Sequence, residues 1–210
     1  MLNKILNETI KPVPIVSKRE VYRLNRQDAI EILQKYMKGE RYLRHSLAVE
    51  AIMKGLAKKL EPGNEEYWGI VGLLHDLDEE HCNWQEHPEV HGKTAVDILK
   101  KEGIDDEISF DAICAHNPAS GVKPQTILQK AVYAADPMSG LCNATALCYP
   151  DKKISSVKVK SILKRIPETR FAAGANRQAI LSIENIGIDM EEFATISLDA
   201  MKEISEEIGL

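Results

Sequence analysis

Apolar residues recur along most of this chain at intervals of three and four positions, which is the spacing that gathers them on one face of an α-helix. The pattern predicts helices over about 25–38, 41–60, 64–78, 90–101, 105–115, 125–136 and 176–186, with a last helical region from 189 onward. Pro137 is expected to end the sixth of these helices. No alternation of apolar and polar residues is long enough to support a β-sheet. The sequence therefore predicts an all-α fold.

Three segments follow from this pattern. Residues 1–24 contain the sequence Pro12-Val13-Pro14, which disfavours a helix, and they are expected to form an extended N-terminal arm. Residues 25–140 are expected to form the helical core, and residues 141–210 to add C-terminal helices packed on the same domain. A chain of 210 residues is long enough for one well-cored domain.

Composition and net charge limit the fold class of the chain and the kinds of molecule that it can bind. Hydrophobic residues make up 44% of the chain and aromatic residues 5%, which favours helix packing by aliphatic side chains over a β-sandwich. The net charge of −5 argues against binding to a nucleic-acid polymer, because such proteins carry a basic surface that displaces counterions from phosphates. A small anionic substrate is compatible with this charge if a metal supplies the positive charge.

Cysteine usage indicates the compartment. Cys82, Cys114, Cys142 and Cys148 show no Cys-x-x-Cys spacing, which indicates free thiols in a reducing cytoplasm. Cys142 and Cys148 are expected to act as small core hydrophobes. The sequence shows no secretory signal and no apolar run of about 18 residues. We therefore expect a cytoplasmic protein that neither spans nor crosses a membrane.

The segment Gly69–Asp78 carries the first sign of chemistry. Its sequence, GIVGLLHDLD, runs from apolar residues directly into His75 and Asp76. A carboxylate in apolar surroundings is costly unless it is paired or bound to a metal, and His beside Asp offers one neutral nitrogen and one anionic oxygen. An isolated pair of this kind is more often a hydrogen-bonded core pair than a metal site, so the other histidines decide the interpretation.

The distribution of the other histidines favours a metal. All six histidines lie between positions 45 and 116. His91 falls on the apolar stripe of the helix predicted over 90–101, and Asp136 shares a stripe with Leu128 and Val132. One shared metal centre explains such a set more economically than several separately satisfied core polar groups. The predicted ligands are His45, His75, Asp76, His91, His116 and Asp136.

These residues resemble the signature of the HD superfamily of metal-dependent phosphohydrolases, which is a His, then His-Asp on a following helix, then a distant Asp. Here they are His45 in RHSLAVEA, the pair in GLLHDLD and Asp136 in YAADP. His91 and His116 look like the additional pair found in members with two metals. The resemblance covers about residues 28–140. It implies an HD-domain helical bundle with additional C-terminal helices.

The same resemblance implies an activity and a cofactor. It implies hydrolysis of a phosphate ester or anhydride of a small metabolite, often a nucleotide, by a metal-activated water. One or two divalent ions would be held, with Asp76 bridging them when there are two, and Fe, Mn, Zn, Co, Ni and Mg all remain candidates. The implied partner is a small phosphorylated substrate.

One departure from the family follows the His-Asp pair. Many relatives continue with Ile-Gly-Lys, whereas here Asp78 and Glu79 occupy the Gly and Lys positions, so two acids replace a cation. Asp76 and Glu79 are the predicted catalytic residues. Glu79 or Asp78 could accept a proton or support a metal ligand, although acids that follow a helix are more often solvated.

Candidate contacts to the substrate phosphate are lysine and arginine side chains. Lys93 lies near the predicted ligand His91, although a Lys on an exposed helix face is usually solvated. Lys164 and Arg165 belong to a basic region over 151–170. A basic helix face is also usually plain surface, but it can clamp a phosphate.

Alternatives stay open at this point. His81, Cys82 and His87 could hold a separate zinc ion, although their spacing matches no closed four-ligand pattern. The chain could also be a non-catalytic regulatory or nucleotide-binding HD protein that keeps its metal, or a purely structural helical protein. The last helix is expected to serve packing or self-association, which leaves room for a homo-oligomer.

Overall fold

Helices account for the regular structure of residues 24–210, which is the part of the chain that this computed structural model describes. No β-strand occurs among these residues, which confirms the all-α prediction. The helices are α1 (Arg26–Tyr36), α2 (Glu40–Leu60), α3 (Glu65–Leu74), α4 (Lys93–Lys101), α5 (Glu107–His116), α6 (Ile127–Leu147), α7 (Val159–Arg165), α8 (Arg177–Leu181), α9 (Met190–Glu203) and α10 (Ser205–Ile208). The predicted N-terminal arm lies outside the described residues, apart from Leu24.

Polar side chains begin several of these helices. Asn25 and Asp189 each accept a hydrogen bond from the backbone N–H three residues later, at 3.0 and 2.8 Å, as the sequence predicts. At the start of α6, Thr126 and Gln129 form a capping box in which each side chain accepts from the other's backbone N–H. Such a cap stabilises a helix by about 1 kcal/mol. The caps therefore help to fix where the helices of the bundle begin.

Helices α2 and α3 pack closely because α3 presents glycine to α2. A Cβ atom added at Gly72 would lie 3.0 Å from the backbone oxygen of Val49 and 2.8 Å from Cγ of Met53. A Cβ atom at Gly69 would lie 2.5 Å from the side chain of Lys54. This confirms the expectation that the two glycines allow another helix to approach. The close packing matters because α2 carries the predicted ligand His45 and α3 leads into His75 and Asp76.

Helix α6 continues past Pro137, which corrects the prediction that the helix ends there. The helix runs to Leu147. A proline inside a helix costs about 3 kcal/mol, because it removes a backbone hydrogen bond and crowds the preceding turn. The second half of α6 offsets this cost by burying Met138 and Leu141 completely. Asp136 consequently lies in the middle of a long helix rather than at its end.

The C-terminal helices pack on the rest of the bundle. Helix α9 lies against α2, and α7 lies against α6 and α9. The side chain of Phe193 on α9 is fully buried. The loop before α8 is held by Arg177, whose guanidinium donates to five backbone carbonyls between positions 166 and 175. The limits proposed for the three segments of the chain stay a prediction.

Ile108 and Cys148 both lie at the surface, and for Cys148 this corrects the prediction of a core position. Ile108 is 61% exposed, because it lies in the first turn of α5, whose inward face is formed by residues such as Phe110 and Ile113. Cys148 is exposed where α6 ends. Cys142 is buried as predicted, and burial raises the pKa of its thiol to about 12.

Candidate metal centre

The carboxylate of Asp76 lies at the centre of a cluster of imidazoles. Its Oδ1 atom is 3.2 Å from Nε2 of His75, 3.2 Å from Nε2 of His91 and 3.3 Å from Nε2 of His116. Its Oδ2 atom is 3.3 Å from Nε2 of His45. Helix α3 ends at Leu74, so it is shorter than the predicted helix over 64–78, and His75 and Asp76 lie just after it.

The carboxylate of Asp136 completes the cluster from α6. Its Oδ1 atom is 3.2 Å from Nε2 of His45 and 3.8 Å from Nε2 of His75. The structure thus brings together all six residues that the sequence singled out as metal ligands. They come from α2, the segment after α3, the segment before α4, the end of α5, and the middle of α6.

Two of the histidines are oriented by the backbone of their own segment. Nδ1 of His75 lies 2.7 Å from the carbonyl oxygen of Gly72, and Nδ1 of His116 lies 2.5 Å from that of Ile113. A carbonyl oxygen only accepts, so Nδ1 carries the proton in both rings. The Nε2 atom of each ring is therefore the nitrogen that is available to bind a metal ion, and it faces Asp76.

His45 is oriented by a hydroxyl group. Ser139 Oγ donates to the backbone oxygen of Asp136 at 2.8 Å and lies 3.1 Å from Nδ1 of His45. Because the hydroxyl proton is already used, the hydroxyl oxygen accepts from Nδ1–H. Nε2 of His45 is then left free to bind a cation. The sequence analysis did not identify Ser139, whose position one helical turn after Asp136 was the available signal.

His91 is oriented by Asp78. Asp78 Oδ1 lies 2.9 Å from Nδ1 of His91, and Asp78 Oδ2 accepts from the backbone N–H of Gly92 at 2.8 Å. The side chain of Asp78 is fully buried, so the expectation that acids at this position are solvated is wrong for Asp78. This carboxylate supports a candidate ligand, which is one of the two roles weighed for it.

His91 itself does not lie on a helix, which corrects the predicted helix over 90–101. The backbone is extended at His91 and turns at Gly92, where φ is +82°, before α4 begins at Lys93. A Cβ atom at Gly92 would lie 3.1 Å from the backbone oxygen of Ile113. The glycine therefore lets this turn pack on α5 and brings His91 to 3.0 Å from His116, measured between their Nε2 atoms.

The two carboxylates give the cluster a strong affinity for positive charge. Burial alone would lower the pKa of His45, but hydrogen bonds to Asp136 and Asp76 outweigh it and raise that pKa to about 9. Burial would also lower the pKa of His75 and His91, but the charge of Asp76 raises that of His75 to about 10, and hydrogen bonds to Asp76 and Asp78 raise that of His91 to about 11. Burial would raise the pKa of Asp76, but the charge and hydrogen bonds of the histidines hold it well below its usual range.

Several features of the cluster fit a divalent cation. Nε2 of His75 is buried and, among residues 24–210, is the one buried side-chain nitrogen or oxygen without a hydrogen-bond partner. An orphaned polar atom of this kind calls for a ligand. Two donor atoms that each lie about 2.1 Å from one ion at a right angle are about 3 Å apart, which is close to the spacings around Asp76.

The donor atoms fall into overlapping groups that share Asp76. One group is His45, His75 and Asp76, and another is Asp76, His91 and His116. Asp76 directs Oδ2 toward His45 and Oδ1 toward the pair from the second group. The arrangement could hold two ions with Asp76 between them. The role of the six residues as metal ligands stays a prediction.

The other predicted site residues lie in different settings. Glu79 is half-buried, and burial together with the negative charge of Asp76 raises its pKa. Lys93 is exposed in the first turn of α4. Lys164 is exposed on α7, and the Arg165 guanidinium stacks 3.8 Å from the centre of the Phe171 ring. The predicted substrate contacts therefore remain untested.

The structure does not assemble the separate zinc site. Nε2 of His81 lies 2.5 Å from the backbone oxygen of Tyr36, and His87 is exposed beside Glu89. The thiol of Cys82 instead groups with Asp78 and His91 at the edge of the cluster. Among residues 24–210, no group of possible metal ligands includes His81 or His87.

Comparison with known families agrees with the geometry. Residues 42–140 match the family model described as HD domain. Neither the curated proteins nor the solved structures include a significant match to this chain. Among residues 24–210, none of the helices combines the length and the apolar character needed to span a bilayer.

Proposed function

This chain carries an HD domain over residues 42–140, and on that premise we propose that it is a metal-dependent phosphohydrolase that cleaves a phosphate ester or anhydride of a small metabolite, with a nucleotide as the leading candidate. The observation that carries the proposal is the convergence on Asp76. Four imidazoles have Nδ1 held by a fixed acceptor and Nε2 aimed at one carboxylate. Fixing one ring nitrogen in this way is how proteins orient histidine for a metal.

The charge of the site supports a metal as the partner of the phosphate. The two carboxylates, Asp76 and Asp136, would repel an anionic substrate if the histidines were neutral. One divalent ion offsets these two carboxylates, and a second offsets the charges of Asp78 and Glu79 beside them, so that the site no longer repels an anion. Such ions, when bound, lower the pKa of water and neutralise charge that develops on phosphoryl oxygens.

The residues of the chain would divide the remaining work. His45, His75, His91, His116, Asp76 and Asp136 would hold the ions. Asp78 and Ser139 would keep two of these imidazoles in the orientation that binds. Glu79 would accept a proton from the attacking water, because it is half-buried beside the cluster and burial, with the charge of Asp76, raises its pKa.

Metal content and activity together test the proposal. Protein purified without added metal should contain a transition metal, and it should release phosphate from some members of a panel of nucleotides and phosphate esters supplied with Mn, Fe, Co, Ni, Zn or Mg. Asp76→Ala should lose both metal and activity. Asp97→Ala, which removes an exposed carboxylate from α4, is the matched control and should lose neither.

Two other outcomes would replace the proposal. Stoichiometric metal and tight nucleotide binding without turnover would favour a non-catalytic regulatory HD protein. Metal-free protein, with no response to chelation or to Asp76→Ala, would favour a purely structural bundle. The cytoplasmic location and a homo-oligomeric state also stay proposals, to be tested by cell fractionation and by light scattering.

A further inference from the structure

A cavity of about 220 Å³ opens beside the candidate metal centre. It lies between α2, α6 and the last residues of the chain, and His45 and Ser139 belong to its wall. These two residues are also part of the cluster, since Ser139 orients the His45 imidazole. The cavity therefore borders the centre at His45, although none of the other five candidate ligands lines it.

The metal centre is partly exposed at His45, which lines this cavity, and at Asp136, which does not. The His45 and Asp136 side chains are 26% and 31% exposed, whereas those of His75 and His116 are 0% and 3% exposed. A substrate phosphate can thus reach the cluster where His45 lies. The rest of the same substrate would extend from there along the cavity.

The cavity contains two arginines from α2. Arg41 and Arg44 are both exposed and line the wall beside His45. Arg44 is paired with Glu40 at 2.5 Å, whereas Arg41 makes no ion pair within residues 24–210. The guanidinium group has a planar fork of N–H donors that matches a phosphate or carboxylate in two-point contact. The Arg41 guanidinium lies 5.9 Å from the centre of the Tyr42 ring and makes no hydrogen bond to any other residue in the described part of the chain.

Helix geometry sets the distance at which a second anion would be bound. Arg41 precedes His45 by four positions, which is about 6 Å along a helix axis at about 1.5 Å per residue. This interval suits a second anionic group a few bonds away from the phosphoryl group at the metal. The opposite wall carries Leu147 and Met201, which suit the uncharged remainder of a metabolite.

We infer that the substrate carries a second anionic group and that Arg41, assisted by Arg44, binds this group in the cavity beside His45. The inference rests on the proposed phosphohydrolase function and names its substrate class. That class consists of phosphorylated metabolites with another phosphate or a carboxylate, as opposed to phosphate monoesters of neutral alcohols. Arg41 and Arg44 act in specificity, since they lie outside the cluster that would hold the metal.

Matched substrate pairs test this inference on metal-loaded protein. Glycerol 3-phosphate and 3-phosphoglycerate differ by a carboxylate, and AMP and ADP differ by a phosphate, so the two pairs distinguish the two kinds of second anion. In at least one pair, Arg41→Gln should lower kcat/KM for the doubly anionic member by about tenfold or more, because a charge-assisted hydrogen bond is lost. The singly anionic member should change by less than about twofold.

Controls separate specificity from damage. Arg41→Lys should recover part of the loss because it keeps the charge but not the fork. Lys58→Gln removes an exposed cation near the other end of α2 and should leave kcat/KM unchanged for both members of each pair. Arg44→Gln should show the same selectivity, with metal content and melting temperature measured in case the pair with Glu40 supports the fold.

Failure of the inference can be told apart from failure of the proposed function. Equal losses for both members of each pair, or no loss for any substrate, would overturn the role of Arg41 while hydrolysis itself stands. If the metal-loaded wild type hydrolyses nothing, the proposed function fails. In that case, calorimetry measures the affinity of the protein for the same four compounds. The inference requires that Arg41→Gln lower the affinity for the doubly anionic compounds only, and any other result overturns it.

Discussion

Replacing Asp78 by asparagine should uncouple His91 from the metal centre. In the native protein the two carboxylate oxygens accept one hydrogen bond each, from Nδ1 of His91 at 2.9 Å and from the backbone N–H of Gly92 at 2.8 Å. An asparagine side chain has nearly the same shape but only one accepting oxygen. The side-chain NH2 group of the asparagine would therefore face either the imidazole N–H or the backbone N–H. Two hydrogen-bond donors would then point at each other in a fully buried position.

The lost hydrogen bond should lower both the stability of the protein and its affinity for metal. Leaving a buried donor unsatisfied costs about 1–3 kcal/mol, and for a chain of this length each kcal/mol lowers Tm by about 2–4 °C. Loss of the hydrogen bond that orients a metal-binding histidine costs about 10- to 100-fold in metal affinity. We expect Asp78→Asn to show both changes, whereas Asp76→Ala should abolish metal binding outright.

Two measurements on the same variant separate these effects. Competition with a chelator gives the metal affinity, and urea denaturation of the metal-free protein gives the free energy of unfolding. Asp97→Asn is the matched control, because it changes an exposed carboxylate on α4 and should alter neither quantity. If Asp78→Asn bound metal as tightly as the wild type, the assignment of Asp78 as the residue that positions His91 would be wrong.

Three further predictions concern protons, a hydroxyl group and a glycine. Because the pKa of three cluster histidines is raised to between about 9 and 11, metal must displace protons at neutral pH. Its affinity should therefore rise with pH until about 11, and calorimetry in two buffers should detect proton release; affinity independent of pH would contradict this. The same raised pKa values stabilise the metal-free fold below about pH 6.5, and this contribution should be lost as pH rises through 9 to 11, as urea titrations at several pH values will show. Ser139→Ala removes the acceptor of the His45 Nδ1 proton and should weaken metal binding by about tenfold and lower the free energy of unfolding by about 1–3 kcal/mol, whereas unchanged affinity would mean that His45 needs no such support. Gly72→Ala places a Cβ atom 3.0 Å from the backbone oxygen of Val49 and should destabilise the protein by about 1–3 kcal/mol, a value that a neutral result in chemical denaturation would refute.

Helical periodicity was sufficient to predict the fold class and most of the helices. The apolar positions repeat with the period of an α-helix, and the capping residues Asn25 and Asp189 mark two helix starts in the sequence itself. The prediction failed at Pro137 because a local rule about proline was applied without the burial that sustains the second half of α6. It failed at His91 because a turn made possible by Gly92 and fixed by Asp78 depends on contacts between distant segments.

The six predicted ligands could be named from the sequence because each combines a metal-binding side chain with an apolar setting. The residues that orient them could not be named with the same certainty. Ser139 is an ordinary helix residue until the His45 ring lies beside it, and Asp78 resembles any acid after a helix until it is seen to be buried. Hydrogen-bond partners of this kind are set by tertiary packing, and linear spacing carries little information about it.

The shared cation is tested most directly by anomalous diffraction at the absorption edge of the metal, from crystals of the protein loaded with Mn, Fe, Co, Ni or Zn. We expect one or two strong peaks among the Nε2 atoms of the four histidines, within about 2.0–2.3 Å of the Asp76 carboxylate. A peak elsewhere, for example at His81 or His87, or the absence of any peak from fully loaded protein, would contradict the claim that these side chains share a cation.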